Sequence, residues 1–299
     1  MNNDLAPHLA IALRHASPGL NATRIPRVDL CVGQGSTEQA PCLYRSMICF
    51  ILQGSKRVAL NQHLLSYDRE HYLISALDLP LSGQIFDDEA GQPYVAVSLV
   101  LEPALLAELA STMPAVRERE QQVIGLTLNP MTAPLRDTLL RLLSLLDAPD
   151  DIPVLGPMLE RELLYRLLQG PQGQLLRQIA QPDGALSNIR RAVAWIRDNA
   201  TTRLRIGTLC DISGMSRASL HRHFLSLTGL SPVQYQKQLR LQEARQLLLA
   251  GEYRASDVAF IVGYESASQF SREYLRQFGV SPIRDVRQVR LAIGEASQG

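Results

Sequence analysis

The sequence repeats itself near its C-terminal end, and an internal repeat decides architecture before any single residue does. FLSLTGLSPVQY at 224–235 returns as YLRQFGVSPIRD at 274–285. Phe224 and Tyr274, Gly229 and Gly279, Ser231 and Ser281, and Pro232 and Pro282 each stand fifty positions apart. Upstream, Gly214 answers Gly263, with one residue added before the pair Leu220 and Phe270.

Each copy reads as two short helices around a tight turn. In the first, at 206–227, Leu209, Ile212, Leu220 and Phe224 sit at helical spacing on either side of Gly214. That glycine suits the left-handed backbone that ends a helix, and Ser216 suits the N-cap of the next. The second copy runs over about 254–278. Such a pair is either an ordinary helical hairpin or a helix-turn-helix, whose second helix enters the major groove of DNA. A helix over 232–249, with Pro232 in its first turn, joins the copies. Eighteen residues at ~1.5 Å each make it about 27 Å long, approaching the ~34 Å between successive major grooves on one side of a duplex.

Two helix-turn-helix units on a linking helix, each followed by Gly-x-Ser-Pro, resemble the AraC/XylS family of transcriptional regulators over about 189–287. The resemblance implies promoter DNA as a partner, a homodimer, and RNA polymerase as a further partner if the protein is an activator. On a helical wheel, Leu220, Phe224 and Leu227 define the buried face of the second helix, with Ala218 and Arg222 opposite and Ser219 and His221 flanking. In the second unit Phe270, Tyr274 and Gln277 point inward, Ser268 and Arg272 outward, and Gln269 and Ser271 flank. Arg222 and Arg272 are equivalent, and each can take O6 and N7 of a guanine, while Gln269 suits an adenine. These positions match the family's base-contacting ones. Ala218 departs, standing where some relatives carry a larger side chain. Arg217 suits a phosphate, and Ser216 and Ser266 complete the candidate DNA-contacting set. His221 and His223 point apart on a helix and make no metal pair.

The rest of the chain is of another kind. A length of 299 residues suggests about two domains, and 46% hydrophobic residues suffice for sizeable cores. Net charge is −6 over 1–183 and +7 over 184–299, as expected of a nucleic-acid module beside a separate domain. An amphipathic helix is expected within 1–25, with Leu5, Leu9, Ala12 and Leu13 on one side, ended at Ser17-Pro18-Gly19. From 28 to 101 the segments SMICFILQ, KRVALN, HYLISAL and YVAVSLVL, set between turn signals, read as strands of a small sandwich or barrel. This part resembles, less specifically, the cupin-like sensor domains of AraC-family regulators, which hold a small effector in the barrel mouth. Helices follow over 102–113, 134–147 and 154–168. Leu135, Leu139, Leu142, Leu143 and Leu146 give the second a broad apolar stripe, for covering the barrel, pairing with a second chain, or both. A linker is expected over 169–186, and a helix over 187–199, capped by Ser187 or Asn188 and with Trp195 in its core, opens the DNA-binding domain.

The expected fold is therefore α+β: a cupin-like β-sandwich or barrel with helices over 1–168, then an all-α domain over 187–290 with two helix-turn-helix units. The expected function is sequence-specific transcriptional regulation, controlled by a small effector of unknown identity. A cupin-type metabolic enzyme with a DNA-binding tail is one alternative, and a partner-regulated DNA-binding protein without a ligand is another. No metal, cofactor or catalytic residue is expected: only His63 and His71 fall among the strands, without the several histidines and the glutamate of metal-binding cupins. Tyr44, His63 and Tyr72 are candidates to face a pocket or ordinary half-buried residues. Cys31, Cys42 and Cys49 are read as buried reduced thiols, with redox or electrophile sensing as the alternative, and Cys210 as core. No signal peptide or membrane span is read, so a cytoplasmic location is expected. Asn21-Ala22-Thr23 and Asn199-Ala200-Thr201 are read as chance matches to glycosylation sequons.

Overall fold

A computed structural model describes residues 5–35, 37, 40–60, 63–114, 125–251 and 253–288, the side chain of His63 excepted. The fold is α+β and divides into two compact units: residues up to Arg190 with Ser226–Gly229, and Arg191–Leu225 with the chain from Leu230 onward.

In the first unit, α1 (Ala6–His15) precedes strands β1 (Gly19–Ala22), β2 (Val28–Gly33), β3 (Ala40–Tyr44), β4 (Met47–Gln53), β5 (Ser55–Leu60), β6 (His63–Asp68), β7 (His71–Ser75), β8 (Leu79–Phe86) and β9 (Tyr94–Val100). Helix α2 (Pro103–Ser111), strand β10 (Leu126–Pro130), and helices α3 (Ala133–Ser144), α4 (Ile152–Gln169) and α5 (Gly173–Ala180) follow. The strands form two antiparallel sheets, ordered β1-β2-β9-β4-β7-β10 and β3-β8-β5-β6. Strand β9 is buried along nearly its whole length, as a strand covered on both faces must be. Between β4 and β5 the chain turns at Gly54 (φ 78°), where a Cβ would stand 2.4 Å from the Phe86 carbonyl oxygen. Glycine alone meets both demands.

Several expectations need correction. The N-terminal helix buries Ile11 and Ala12 and leaves Leu13 exposed, and the chain after it forms the edge strand β1 on β2. Strand β10, beyond the region read as strands, pairs with β7. All five leucines of the 134–147 stripe are buried within this chain, so none is left for a second one. Helix α4 instead carries exposed apolar residues: Val154, Leu155, Met158 and Tyr165. The stretch expected as linker contains α5, whose Leu175, Leu176 and Ile179 are buried against α2 and α4. Its flanking Gly and Pro conceal a two-turn amphipathic helix. Tyr44 faces the space between the sheets, but Tyr72 lies on the opposite face of its sheet beside Phe50, at 5.8 Å between ring centroids. Cys49 is buried and Cys31 and Cys42 half-buried, and burial pushes all three thiols up, away from the reactive thiolate.

In the second unit the helices are α7 (Ile206–Ser213), α8 (Arg217–Thr228, its last turn from Ser226 grouped with the first unit), α9 (Pro232–Ala250), α10 (Ala255–Ile261), α11 (Ala267–Phe278) and a final one at 282–288. They are preceded by α6 (Ala185–Asp198), in which the division between units falls. Helix α6 begins two residues earlier than expected, which puts Ser187 and Asn188 inside it. Its core side is Ile189, Ala192, Val193 and Ile196, while Trp195 is only half-buried, as is Cys210. Asn199 donates to the Trp195 carbonyl at 2.9 Å, so this sequon asparagine closes the end of α6. Leu241, Ala244 and Leu248 of α9 form one core with Val258, Ala259, Val262, Tyr264, Phe270 and Tyr274. Burying each of the larger of these side chains contributes about 1.5–3 kcal/mol.

Candidate nucleic-acid interface

Both copies of the repeat build the same local device. Gly214 (φ 65°) ends α7 in the left-handed conformation, and the Ser216 Oγ then accepts from Ser219 N at 3.3 Å to start α8. In the second copy Gly263 (φ 87°) makes the turn, and the Ser266 Oγ accepts from Gln269 N at 3.4 Å to start α11. Ser216 and Ser266 thus act as N-caps, each contributing about 1 kcal/mol. After each recognition helix a glycine turns the chain, Gly229 at φ 69° and Gly279 at φ 73°. Ser231 and Gln234 then close a capping box at the start of α9, with Pro232 in its first turn.

Burial on α8 and α11 follows the helical wheel at most positions. Leu220, Phe224 and Leu227 are buried, and Phe224 packs edge-on against Tyr235 at 5.5 Å. On α8, Arg217, Ala218, His221 and Arg222 are exposed and Ser219 half-buried; on α11, Ser268, Ser271 and Arg272 are exposed and Gln269 half-buried. Gln277, expected to point inward, is exposed. Phe278 takes the inner place, its ring 4.5 Å from that of Tyr274, because an aromatic ring gains more from burial than an amide.

Two groups on these helices are held by neighbours that the sequence did not single out. The Arg222 guanidinium lies 3.3 Å from Nε2 of His223. Burial, together with the Arg222 charge, lowers the His223 pKa, which keeps that nitrogen available as an acceptor. The Gln269 amide donates to Oε1 of Glu273 at 3.3 Å. Glu273 also receives Lys237 Nζ at 2.8 Å and the Tyr264 hydroxyl at 2.9 Å. Burial opposes its charge, but these donors hold the carboxyl below its ordinary range. Gln269 therefore projects from a fixed base, with its carbonyl oxygen and second N–H free of that carboxylate.

The linking helix does more than space the two units. Gln236 donates to the carbonyls of Ala200 and Thr202, at 2.9 and 2.7 Å. Arg240 donates to Ala200 (2.6 Å), Thr202 (2.9 Å) and Gly263 (2.8 Å). At Gly263 a Cβ would lie 2.3 Å from the Thr201 oxygen. The loop after α6 and the turn of the second unit are thus clasped to α9 from one side. A polar cleft beside the clasp is lined by Arg203, Lys237, Arg240, Tyr264, Glu265 and Gln269. The signal in the sequence was weak: Gln236 and Arg240 interrupt the apolar positions Tyr235, Leu239, Leu241 and Ala244, which reads equally well as solvated surface.

Two helix-turn-helix units clasped to one strut, joined in sequence to a two-sheet unit, define a class of DNA-binding regulator. The chain belongs to the AraC-type transcriptional regulators. The model of the AraC-type transcriptional regulator N-terminus matches residues 24–175, and that of a helix-turn-helix domain matches 209–288. The transcriptional activator RhaS of Citrobacter koseri is 33% identical over 136 residues, 44% of this chain and 47% of that protein. RhaS of Escherichia coli is 33% identical over 108 residues, 36% of this chain and 38% of that protein. The chain thus matches less than half the length of these curated relatives. Among solved structures, an apo point variant of ToxT from Vibrio cholerae has a TM-score of 0.55 at 15% identity, covering 89% of this chain and 98% of that one, which shows a shared fold. A second ToxT structure, bound to an unsaturated fatty acid, has a TM-score of 0.50 at 13% identity, covering 86% and 94%.

Proposed function

We propose that this protein regulates transcription by placing α8 and α11 in two successive major grooves of promoter DNA. The observation that carries the reading is the equivalence of Arg222 and Arg272: both are exposed, and they stand at matching positions of two helices joined by one clasped strut. Arg222 and Arg272 read guanine and Gln269 reads adenine. His221, Ser219, Ser268 and Ser271 contact flanking bases or phosphates, Ala218 offers a methyl contact, and Arg217 takes a phosphate. Ser216 and Ser266 bring two helix N-termini to the backbone. Among the described residues no helix is long and apolar enough to cross a membrane, and no three metal-ligating side chains converge. In this reading the two-sheet unit is a sensor for a small effector rather than a catalyst, and the relatives' role as regulators supports it. ToxT, which shares the fold, has been seen with a fatty acid bound. Two chains pair through the exposed apolar stripe of α4, and an activating role brings RNA polymerase as a partner. Selection of bound duplexes from a random pool by the full chain tests the proposal. A two-part motif with its elements about one helical turn apart supports it, and recovery of no sequence preference rejects it.

A further inference from the structure

The outward faces of α8 and α11 share an apolar residue as well as an arginine. Leu225 and Leu275 stand fifty positions apart, the same interval that separates Arg222 from Arg272. They are 54% and 49% exposed, and among the described residues no other large apolar side chain is exposed on either helix. Each follows its arginine by three residues, so it lies beside it on the helix surface, away from the buried Leu220 or Phe270.

A single exposed leucine needs no explanation. The same residue at the same position of both helices does. Helix propensity does not ask for it, since alanine, arginine and lysine serve a solvated helix at least as well. Its neighbours are those of a face turned to a polyanion. Positions 218, 221, 222 and 225 carry Ala, His, Arg and Leu, and 268, 271, 272 and 275 carry Ser, Ser, Arg and Leu, with no carboxylate among them. In the major groove the apolar group on a base edge is the C5-methyl of thymine.

We infer that Leu225 and Leu275 each pack on the C5-methyl of a thymine beside the guanine taken by Arg222 or Arg272. The inference rests on the two-groove reading of the proposed function and adds a second base to each half of its site. Three residues rise about 4.5 Å along a helix against ~3.4 Å per base step, so the thymine falls one or two base pairs from the guanine, on either strand. The arginine-to-leucine spacing is the same on both helices, so the guanine-to-thymine offset is the same in both halves of the site.

Exchange of thymine for uracil in a selected duplex tests this, because it removes the methyl and keeps every hydrogen-bonding group of the base pair. Binding of the full chain is followed by fluorescence anisotropy at one salt concentration, with one thymine exchanged at a time. In each half, one exchange beside the essential guanine should weaken binding about three- to five-fold, the scale of one buried methyl. Leu225→Ala should abolish that penalty in one half only and Leu275→Ala in the other, with melting temperatures level, because both side chains are exposed. Penalties below about two-fold at every thymine, or penalties that survive both substitutions, overturn the inference. So does a selected site with no thymine within two base pairs of either essential guanine. Should a leucine variant not fold, the exchanges with the unaltered chain decide alone. The two-groove reading fails separately: it stands when guanines are essential and every methyl is dispensable, and a pool that yields no preferred duplex removes both.

Discussion

Arg240 Nη1 donates to the carbonyl of Gly263 across 2.8 Å, while Nε and Nη2 of the same guanidinium hold the carbonyls of Ala200 and Thr202. One side chain on the strut therefore holds the loop after α6 and the turn of the second reading unit together. Lysine has the charge but not the planar fork that serves three carbonyls at once. Arg240→Lys is expected to destabilise the chain by about 1 kcal/mol, as the half-buried carbonyls of Ala200 and Gly263 each lose a charged donor. It should also relax the spacing tolerated between the two halves of the DNA site. Binding to duplexes with one base pair added or removed between the halves measures this. A spacing preference as sharp as that of the unaltered chain would mean the clasp serves folding alone.

Gly263→Ala attacks the same junction from the other side. The new methyl meets the Thr201 oxygen and the backbone is held at φ 87°, so two costs combine. A loss of about 2–4 kcal/mol in denaturant unfolding is expected from strain together with overpacking. Gly214→Ala has the same backbone problem (φ 65°) but open space around it, and should cost less. Equal losses at the two glycines would contradict the close approach.

Much of the fold of the two helix-turn-helix units was legible in the sequence because it is built from local rules. Helical spacing put Leu220, Phe224, Phe270 and Tyr274 inside, and that alone put Arg222 and Arg272 outside. Where local rules are silent, the sequence was too. Lys56 in a strand reads as solvent-facing until its partner sheet is known, and α5 hides between Gly170-Pro171 and Gln181-Pro182. The stripe on α3 looks like a docking surface until α1 and α4 are seen packed on it. Glu273 reads as an ordinary surface acid, and only Lys237, thirty-six residues away, and Tyr264 show that it carries Gln269.

The support beneath Gln269 gives a specificity test. Removing the carboxylate by Glu273→Ala leaves the amide without its anchor. Preference at the base pair read by Gln269 should fall by about 1–3 kcal/mol, the worth of one good bidentate contact, while the position read by Arg222 is unchanged. Parallel selection with the two proteins measures both positions in one experiment. Equal loss at both would mean that Glu273 stabilises the unit as a whole.

Asp285 sets an acid limit on this unit. Arg245 holds it through both oxygens, at 2.7 and 2.9 Å, and the Tyr274 hydroxyl donates at 2.6 Å. Burial works against its charge, but these donors keep its pKa below the ordinary value of 3.8. A depressed carboxyl contributes stability that is full above its unfolded pKa and is lost as pH falls through the folded one. Unfolding of this unit should thus be insensitive to Asp285 from neutral pH to about 5, then weaken below about 4. Asp285→Asn leaves Arg245 with half a partner and should cost about 3–5 kcal/mol at pH 7. A variant as stable as the parent at pH 7 would show that the pair adds nothing to the fold.

In the proposed function one chain reads two grooves with equivalent arginines. Methylation interference on a selected duplex, at one chain per duplex, distinguishes the two arginines. Two groups of guanine N7 positions about 10 base pairs apart should be essential, one dropping out with Arg222→Ala and the other with Arg272→Ala, each at a loss of about 1–3 kcal/mol. A single group of essential guanines, or two groups that both survive either substitution, would contradict the account.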